Sequence, residues 1–561
     1  MAHDVHYEVL GYDGRKWTLI EVAQSEKAAI ANAKAARQGG RNRAVRVLRE
    51  RKLGQDGEVQ TIQVYYDGVK VAGGEGGGKM EDENERPANC WKLSDLYSYE
   101  GRRTLARLLA RNLGQWQITP TELLHHPDYH TRLDSEGTSL QHAVQKVAII
   151  QVQEMDISVQ ERMRQIYDII GQAARRLTQA VKDGAVPPVT PETFDAVVRG
   201  LAKHEERGLL LMMGLAGYLS QVETLEAKLP IVLRLIEAAP PKWALRALDP
   251  LLAEIIANPT HMRQMVGEAG EGLDMIQALQ GLRRGVSRAG HATVARLIAE
   301  NTLVECRLTL ERAAVHIVKS PGKLGDGSLL CELEHMRGAW NDFADDIKAD
   351  TDFSWQMEEA FSRRSERTLS VQAVSQHLDD DDDPLVRLER LAHLAGFALG
   401  HASRRQLANF ILLLLTSPPT QAQIAATEGK VMRRLRRLAS LQGVLAASDF
   451  DEVQRGRMTS ELDAIAARVM KESGLLGRLA AGTSERWEKA LRLLQLIADG
   501  YFCVGLTLDM ARAQTRDLMR GSKLLDNYLA GAKDQAEMTA KLQKLMALFT
   551  IAGIKDTNAS A

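Results

Sequence analysis

From Trp91 to the C-terminus, apolar residues recur at three- and four-residue spacing, with Gly and Pro gathered at segment ends. That spacing lines up one helical face per segment, and the strict alternation of a half-buried strand never takes over. The last 471 of 561 residues are therefore restricted to helix. In "SVQERMRQIYDIIGQAARRLTQAVKDG", Met163, Ile166, Ile169, Ile170, Ala173, Leu177 and Val181 form one stripe, and Asp183-Gly184 supplies a stop. Thr190, Pro191 and Glu192 then restart a helix as N-cap, first position and first-turn acid.

Residues 1–70 have a different texture. Asp13-Gly14 and Asp56-Gly57 each separate two extended runs, the signature of a hairpin. Between the hairpins, Ser25 is suited to cap an alanine-rich helix that Gly39-Gly40 would end. The order β-β-α-β-β predicts a small α+β module, an antiparallel sheet with one face covered by the helix. Residues 71–88 are glycine-rich and acidic with little apolar content, and composition of that kind predicts a flexible linker. The fold class expected is mainly α, a helical-repeat or tandem helical-bundle body, α-solenoid-like, behind a ββαββ N-terminal domain.

Within the body, three pairs of landmarks share an offset of 97 residues: Leu297 with Leu394, Ser320-Pro321 with Ser417-Pro418, and Asp352-Phe353 with Asp449-Phe450. A similar segment starts at Leu496, and a weaker one at Leu235 ends on Asn258-Pro259. A period near 100 residues exceeds a single helix pair, so each unit would hold about four helices. The expected division is a helical region at 89–286, units at 287–385 and 386–485, a partial unit at 486–552, and a disordered tail at 553–561.

Lys plus Arg number 72 against 73 Asp plus Glu, which excludes a molecule-wide basic field for nucleic acid. Four cysteines, Cys90, Cys306, Cys331 and Cys503, form no C-x-x-C and no close pair, so neither a disulfide framework nor a thiolate zinc site is expected. The apolar runs "GLLLMMGLAGYL" and "FILLLL" fall short of the roughly 20 residues that span a bilayer, and the first residues lack the pattern of a secretion signal. A cytoplasmic location without a membrane span is the expectation.

Two clusters could carry chemistry. Glu122, His125, His126, Asp128, His130, Asp134 and His142 crowd one short stretch, and imidazole with carboxylate can ligate zinc or iron, His125, His126, His130 and His142 being the metal candidates. Their spacing matches no established motif, and helix capping explains them equally. The second cluster is basic. Arg41, Arg43, Arg46, Arg49 and Arg51, with Lys34, Arg37 and Lys52 beside them, suit a polyanion or a partner on the N-terminal module. Arg433, Arg434, Arg436 and Arg437 suit a docking stripe or a solvated helix face. His204-Glu205 precedes an apolar helix without any nucleotide-binding elements to phosphorylate it. Asp379 to Asp383 lacks the interleaving and Gly of a calcium loop and is better suited to favour a helix N-terminus.

No phosphate loop, dinucleotide fingerprint, nucleophile elbow or H-E-x-x-H occurs. The expectation is a non-enzymatic scaffold or regulatory protein that presents a helical-repeat surface to protein partners, with no cofactor. Homo-oligomerisation stays open, because a solenoid end without a polar cap exposes an apolar face. Two alternatives remain at this stage: a metal-dependent helical enzyme or sensor built on His125 to His142, and a regulator touching nucleic acid through the basic N-terminal module. Nucleic acid is disfavoured by the overall charge.

Overall fold

The computed structural model of the chain describes residues 5–12, 17–23, 25–39, 42, 44–53, 58–68, 87–135, 138–153, 157–267, 269–270, 272–324, 327–346, 351–378, 383–426 and 431–554. The chain divides into two units, Met1–Gly78 and Lys79–Ala561.

In the first unit, strands β1 (Val5–Tyr12), β2 (Trp17–Ala23), β3 (Ala44–Leu53) and β4 (Glu58–Gly68) form one antiparallel sheet in the order β2-β1-β3-β4. Helix α1 (Glu26–Gln38) starts where the Ser25 hydroxyl accepts the Ala28 N–H, and Gly39 closes it. Val9, Val45 and Val47 pack with Ala29 and Ala33 of α1 in a small core. Alternation on β1 and β3 and the 3.6 period of α1 meet there, which is why β-β-α-β-β was legible. Both Asp-Gly turns and the stretch 69–86, nearly all of the expected linker, lie outside the described residues. Ala88, at the end of that stretch, belongs to the second unit: its N–H donates to Thr104 Oγ1 and its carbonyl accepts from Gln151.

In the second unit every regular element among the described residues, from Leu93 on, is a helix. The chain as a whole is mainly helical. One apolar core runs from Leu177 to Ile554, and smaller clusters lie under the first helices. Helix Arg207–Leu219 is apolar all round, and Leu209 to Ala216 are buried without a break, as a central helix requires. None of the helices is long and apolar enough to cross a membrane, among the described residues. Cys90, Cys306, Cys331 and Cys503 are free thiols.

Two sequence expectations shift in detail. The helix expected to begin at Pro191 begins at Phe194, because Thr190 and Thr193 hydrogen-bond reciprocally and close one separate turn first. In helix Val159–Lys182 the inward stripe is Arg162, Ile166, Ile169, Ala173, Leu177 and Ala180, whereas Val181 is 52% exposed. Arg162 is fully buried because Gln151, Gln165 and the Cys90 carbonyl satisfy its guanidinium, which also lies over the Trp91 ring.

Of the landmarks 97 residues apart, Ser320 and Ser417 occupy matching places, whereas Asp352 lies within helix Thr351–Thr368 and Asp449 ahead of helix Glu452–Glu472. Helices Val304–Lys319 and His401–Thr416 each have 16 residues, and they end on Ser320 and Ser417 as C-caps. The N-termini of three helices are each held by a side chain from a neighbouring helix. Asp249 accepts the Glu305 and Cys306 N–H groups at 2.8 and 2.9 Å. Ser365 accepts the Leu399 N–H at 3.0 Å, just before helix His401–Thr416. Asp463 accepts Leu506 and Thr507 at 2.6 and 2.9 Å, at the start of helix Leu506–Met519. Two of these approaches are too close for a side chain on the capping residue: a Cβ on Gly400 (φ +80) would meet Ser362, and one on Gly505 (φ +131) would meet Asp463.

Candidate functional site

A cleft of about 980 Å³ opens between the loop that follows helix Val304–Lys319 and helices Leu329–Asp346, Thr351–Thr368, Val371–Leu378 and Pro384–Phe397. Among the described residues its walls carry Lys323, Arg364, Arg367 and Arg390 with His377 and His393, and one carboxylate, Glu332. That carboxylate is already engaged. It accepts the Leu324 N–H at 3.0 Å and pairs with Arg364 at 3.0 Å, both deep in the wall.

The local sequence explains the shape. Ser320-Pro321-Gly322 cannot continue a helix, and the chain turns away. Arg364, only 4% exposed, then collects the orphan carbonyls of that helix end, bonding Val318 and Ser320 at 3.1 and 2.9 Å and reaching Gly322 as well. Its Nε is buried without a hydrogen-bond partner. One turn later on the same helix, Arg367 is exposed and spends one N–H on the Lys319 carbonyl at 2.9 Å. Lys323 is exposed on the loop, and Arg390 holds the His377 carbonyl at 3.0 Å. Ser328 caps helix Leu329–Asp346 by accepting the Cys331 N–H at 3.4 Å, so the positive end of that helix dipole also faces the cleft rim. The arrangement is an open surface on which exposed Lys323 and Arg367 suit carboxylates or phosphates.

None of the described residues proposed from the sequence as metal or polyanion sites lines this cleft. Arg41 and Arg43 lie outside the described residues. Arg46, Arg49 and Arg51 sit on β3, in register opposite Leu10, Tyr7 and Val5 of β1. The four arginines of helix Val431–Ala446 do not act as one patch. Arg437 forms a two-toothed pair with Glu389 at 2.8 and 2.9 Å and reaches Asp383 at 3.1 Å. Arg434 bonds the Ala425 carbonyl, Arg436 lies over the Tyr501 ring, and Arg433 is exposed. Asp383 caps helix Pro384–Phe397 through the Leu385 N–H at 2.9 Å, the role foreseen for the acidic run, whose other members lie outside the described residues.

The histidines are dispersed. His125 is buried, its Nδ1 2.7 Å from the Thr121 carbonyl, and burial depresses its pKa to about 4. His126 Nδ1 accepts the Asp128 N–H at 3.3 Å. His130 lines a separate apolar recess of about 200 Å³ with Asp134, and its buried Nε2 lacks a hydrogen-bond partner. His142 is exposed on helix Thr138–Val152. No group of three or more His, Cys, Asp or Glu side chains is arranged to hold a metal among the described residues.

The cleft was missed because its cations come from three separate segments, the loop at Lys323 and helices Thr351–Thr368 and Pro384–Phe397. The signals were "SPGKLGDGS", a helix-breaking loop carrying one lysine, and "SRRSER", three arginines within one turn and a half. No family model, curated protein or solved structure matches the chain.

Proposed function

We propose that the chain is a non-enzymatic interaction protein whose helical body takes a carboxylate-rich segment of a protein partner in the Ser320 to His393 cleft. The observation that carries this is the exposed cationic wall: Lys323 and Arg367 stand exposed on the cleft beside a carboxylate, Glu332, that is itself bound. A volume of about 980 Å³ open to water suits an extended peptide segment rather than an enclosed small substrate. The body belongs to a tandem helical architecture with units beginning near residues 287, 386 and 486. The matched 16-residue helices and the three cross-helix caps support this reading. Such an architecture leaves extended outer surfaces for partners.

Fluorescence anisotropy with a labelled hexaglutamate peptide tests the reading, with a hexaserine peptide as control. Hexaglutamate is expected to bind, to weaken as salt rises, and to lose about tenfold in affinity in the Lys323→Glu/Arg367→Glu variant. Equal binding of both peptides, or of hexaglutamate to both proteins, overturns it.

A further inference from the structure

A second recess, of about 270 Å³, lies where the first helices of the body meet helices Arg207–Leu219 and Lys242–Ile256. Tyr97, His125, Met212, Trp243, Arg246 and Pro250 are on its walls, with Arg102 and Thr121 beside them. Most of its hydrogen-bond donors are already committed. The Arg102 guanidinium is divided among Glu254, Glu305 and the Tyr97 carbonyl. The Thr121 hydroxyl donates to Glu254 at 2.8 Å, and the Tyr97 hydroxyl donates to the Leu124 carbonyl at 3.4 Å. The Arg246 side chain is exposed.

Two acceptors are left over. The Thr121 carbonyl can only accept, so His125 Nδ1 carries the proton, and the neutral ring keeps its Nε2 lone pair. Pro250 interrupts helix Lys242–Ile256 and has no N–H to give the Arg246 carbonyl four residues back. Both Arg246 and Pro250 line the recess. Trp243 is partly exposed and adds a flat apolar wall, braced on the guanidinium of Arg207 at 5.1 Å from its ring centroid.

We propose that this recess binds a small, uncharged, planar molecule carrying N–H donors, which lies against Trp243 and donates to His125 Nε2 and the Arg246 carbonyl. The volume fits one ring with a polar substituent, at the small end of ligand sites. A cation is disfavoured by Arg102 and Arg246 in the walls, and an anion by the two acceptors. The site is separate from the cationic cleft, so its fate and that of the peptide reading are decided independently.

Saturation-transfer NMR on the full chain tests this with benzamide as the probe and N,N-dimethylbenzamide as the control that lacks the N–H donors. Benzamide is expected to bind saturably at millimolar concentration, and the dimethyl analogue to bind about tenfold more weakly, the worth of one good hydrogen bond. His125→Phe is expected to reduce that preference to what the Arg246 carbonyl supplies. Gly208→Leu guards against a folding artefact. Gly208 lines the recess and a Cβ there meets nothing within 4 Å, so the backbone accepts a side chain at this position and the leucine is expected to block benzamide. No saturable binding of benzamide, equal binding of the two amides, or unchanged binding in Gly208→Leu overturns the proposal.

Discussion

The helical body uses cationic side chains in two opposite ways. Where its first helices dock, the buried charges are paired: Arg102 lies between Glu254 and Glu305, and Lys228 meets Glu122 at 2.7 Å with both side chains at most 1% exposed. In the cleft between Ser320 and His393, Lys323 and Arg367 stand exposed, and the one carboxylate among the described lining residues, Glu332, is spent on Arg364. The number of arginines in a segment therefore says little about what the segment does. A guanidinium that has been desolvated and paired cannot turn to a ligand without stranding its partner, whereas one that keeps water and lacks a counter-charge can. The dense "RRLRR" of helix Val431–Ala446 belongs partly to the first kind, through Arg437, and the exposed cleft cations Lys323 and Arg367 to the second.

The matched side of this contrast breaks most severely at Lys228. Burial pushes the Glu122 carboxyl up, and the Lys228 ammonium pulls it back down. Lys228→Met strands that carboxyl in the core, and urea denaturation is expected to show a loss of about 3–5 kcal/mol. The double variant Lys228→Met/Glu122→Leu is expected to recover more than half of the loss, because an apolar pair of similar size needs no desolvation. A double variant no more stable than the single one would mean that the pair is needed as a pair, not merely matched.

The same seam should weaken in acid. His125 has its pKa lowered from 6.5 to about 4, first by burial, with the Thr121 carbonyl opposing. The unfolded chain therefore binds the proton that the folded chain refuses between those values. Stability is retained above pH 6.5 and falls as the pH drops towards 4, by about 3 kcal/mol in total from this residue. His125→Leu is expected to flatten that part of the curve of unfolding free energy against pH; an unchanged slope would assign the acid sensitivity to other groups.

How much of this was legible depended on the range of the physics involved. Helix or strand identity is local: the alternation around Val45 and Val47 and the period through Ile166, Ile169 and Ala173 sit in single windows, and both came through. The buried Arg162 did not, since its partners lie at Gln151 and Cys90, and nothing in its own window announces them. The histidine cluster illustrates the converse. His125 and His130 are five residues apart in sequence, yet they line different recesses, because the break at Pro127 starts a new helix, Pro127–Ser135. The cleft was illegible for a third reason: surplus charge is a difference between segments, visible only once Glu332 is seen to be spent on Arg364.

A smaller effect tests the cross-helix caps. Asp463 accepts two backbone N–H groups at the start of helix Leu506–Met519, and Asp463→Ala leaves both without a partner in a partly buried setting. A loss of about 1–2 kcal/mol is expected by thermal or urea unfolding. Asp249→Ala should cost a similar amount at helix Val304–Lys319, where the geometry is the same. Similar losses would strengthen the case that the two helices occupy equivalent places in a repeated unit; a loss at only one would count against it.

The smallest expected change is the one that sharpens the contrast most. Arg364 and Arg367 lie one turn apart on helix Thr351–Thr368, and both line the cleft. Arg364 is 4% exposed and holds the end of the preceding helix, while Arg367 is exposed and gives one hydrogen bond to Lys319. Arg367→Ala should therefore shift unfolding free energy by no more than about 0.5 kcal/mol, the ordinary range for a surface substitution. The same variant should still weaken hexaglutamate measurably and lower the steepness of its salt dependence, because one unmatched charge has left the cleft. A destabilisation well beyond that range would move Arg367 to the matched, structural class and take from the cleft one of the cations on which its proposed function rests.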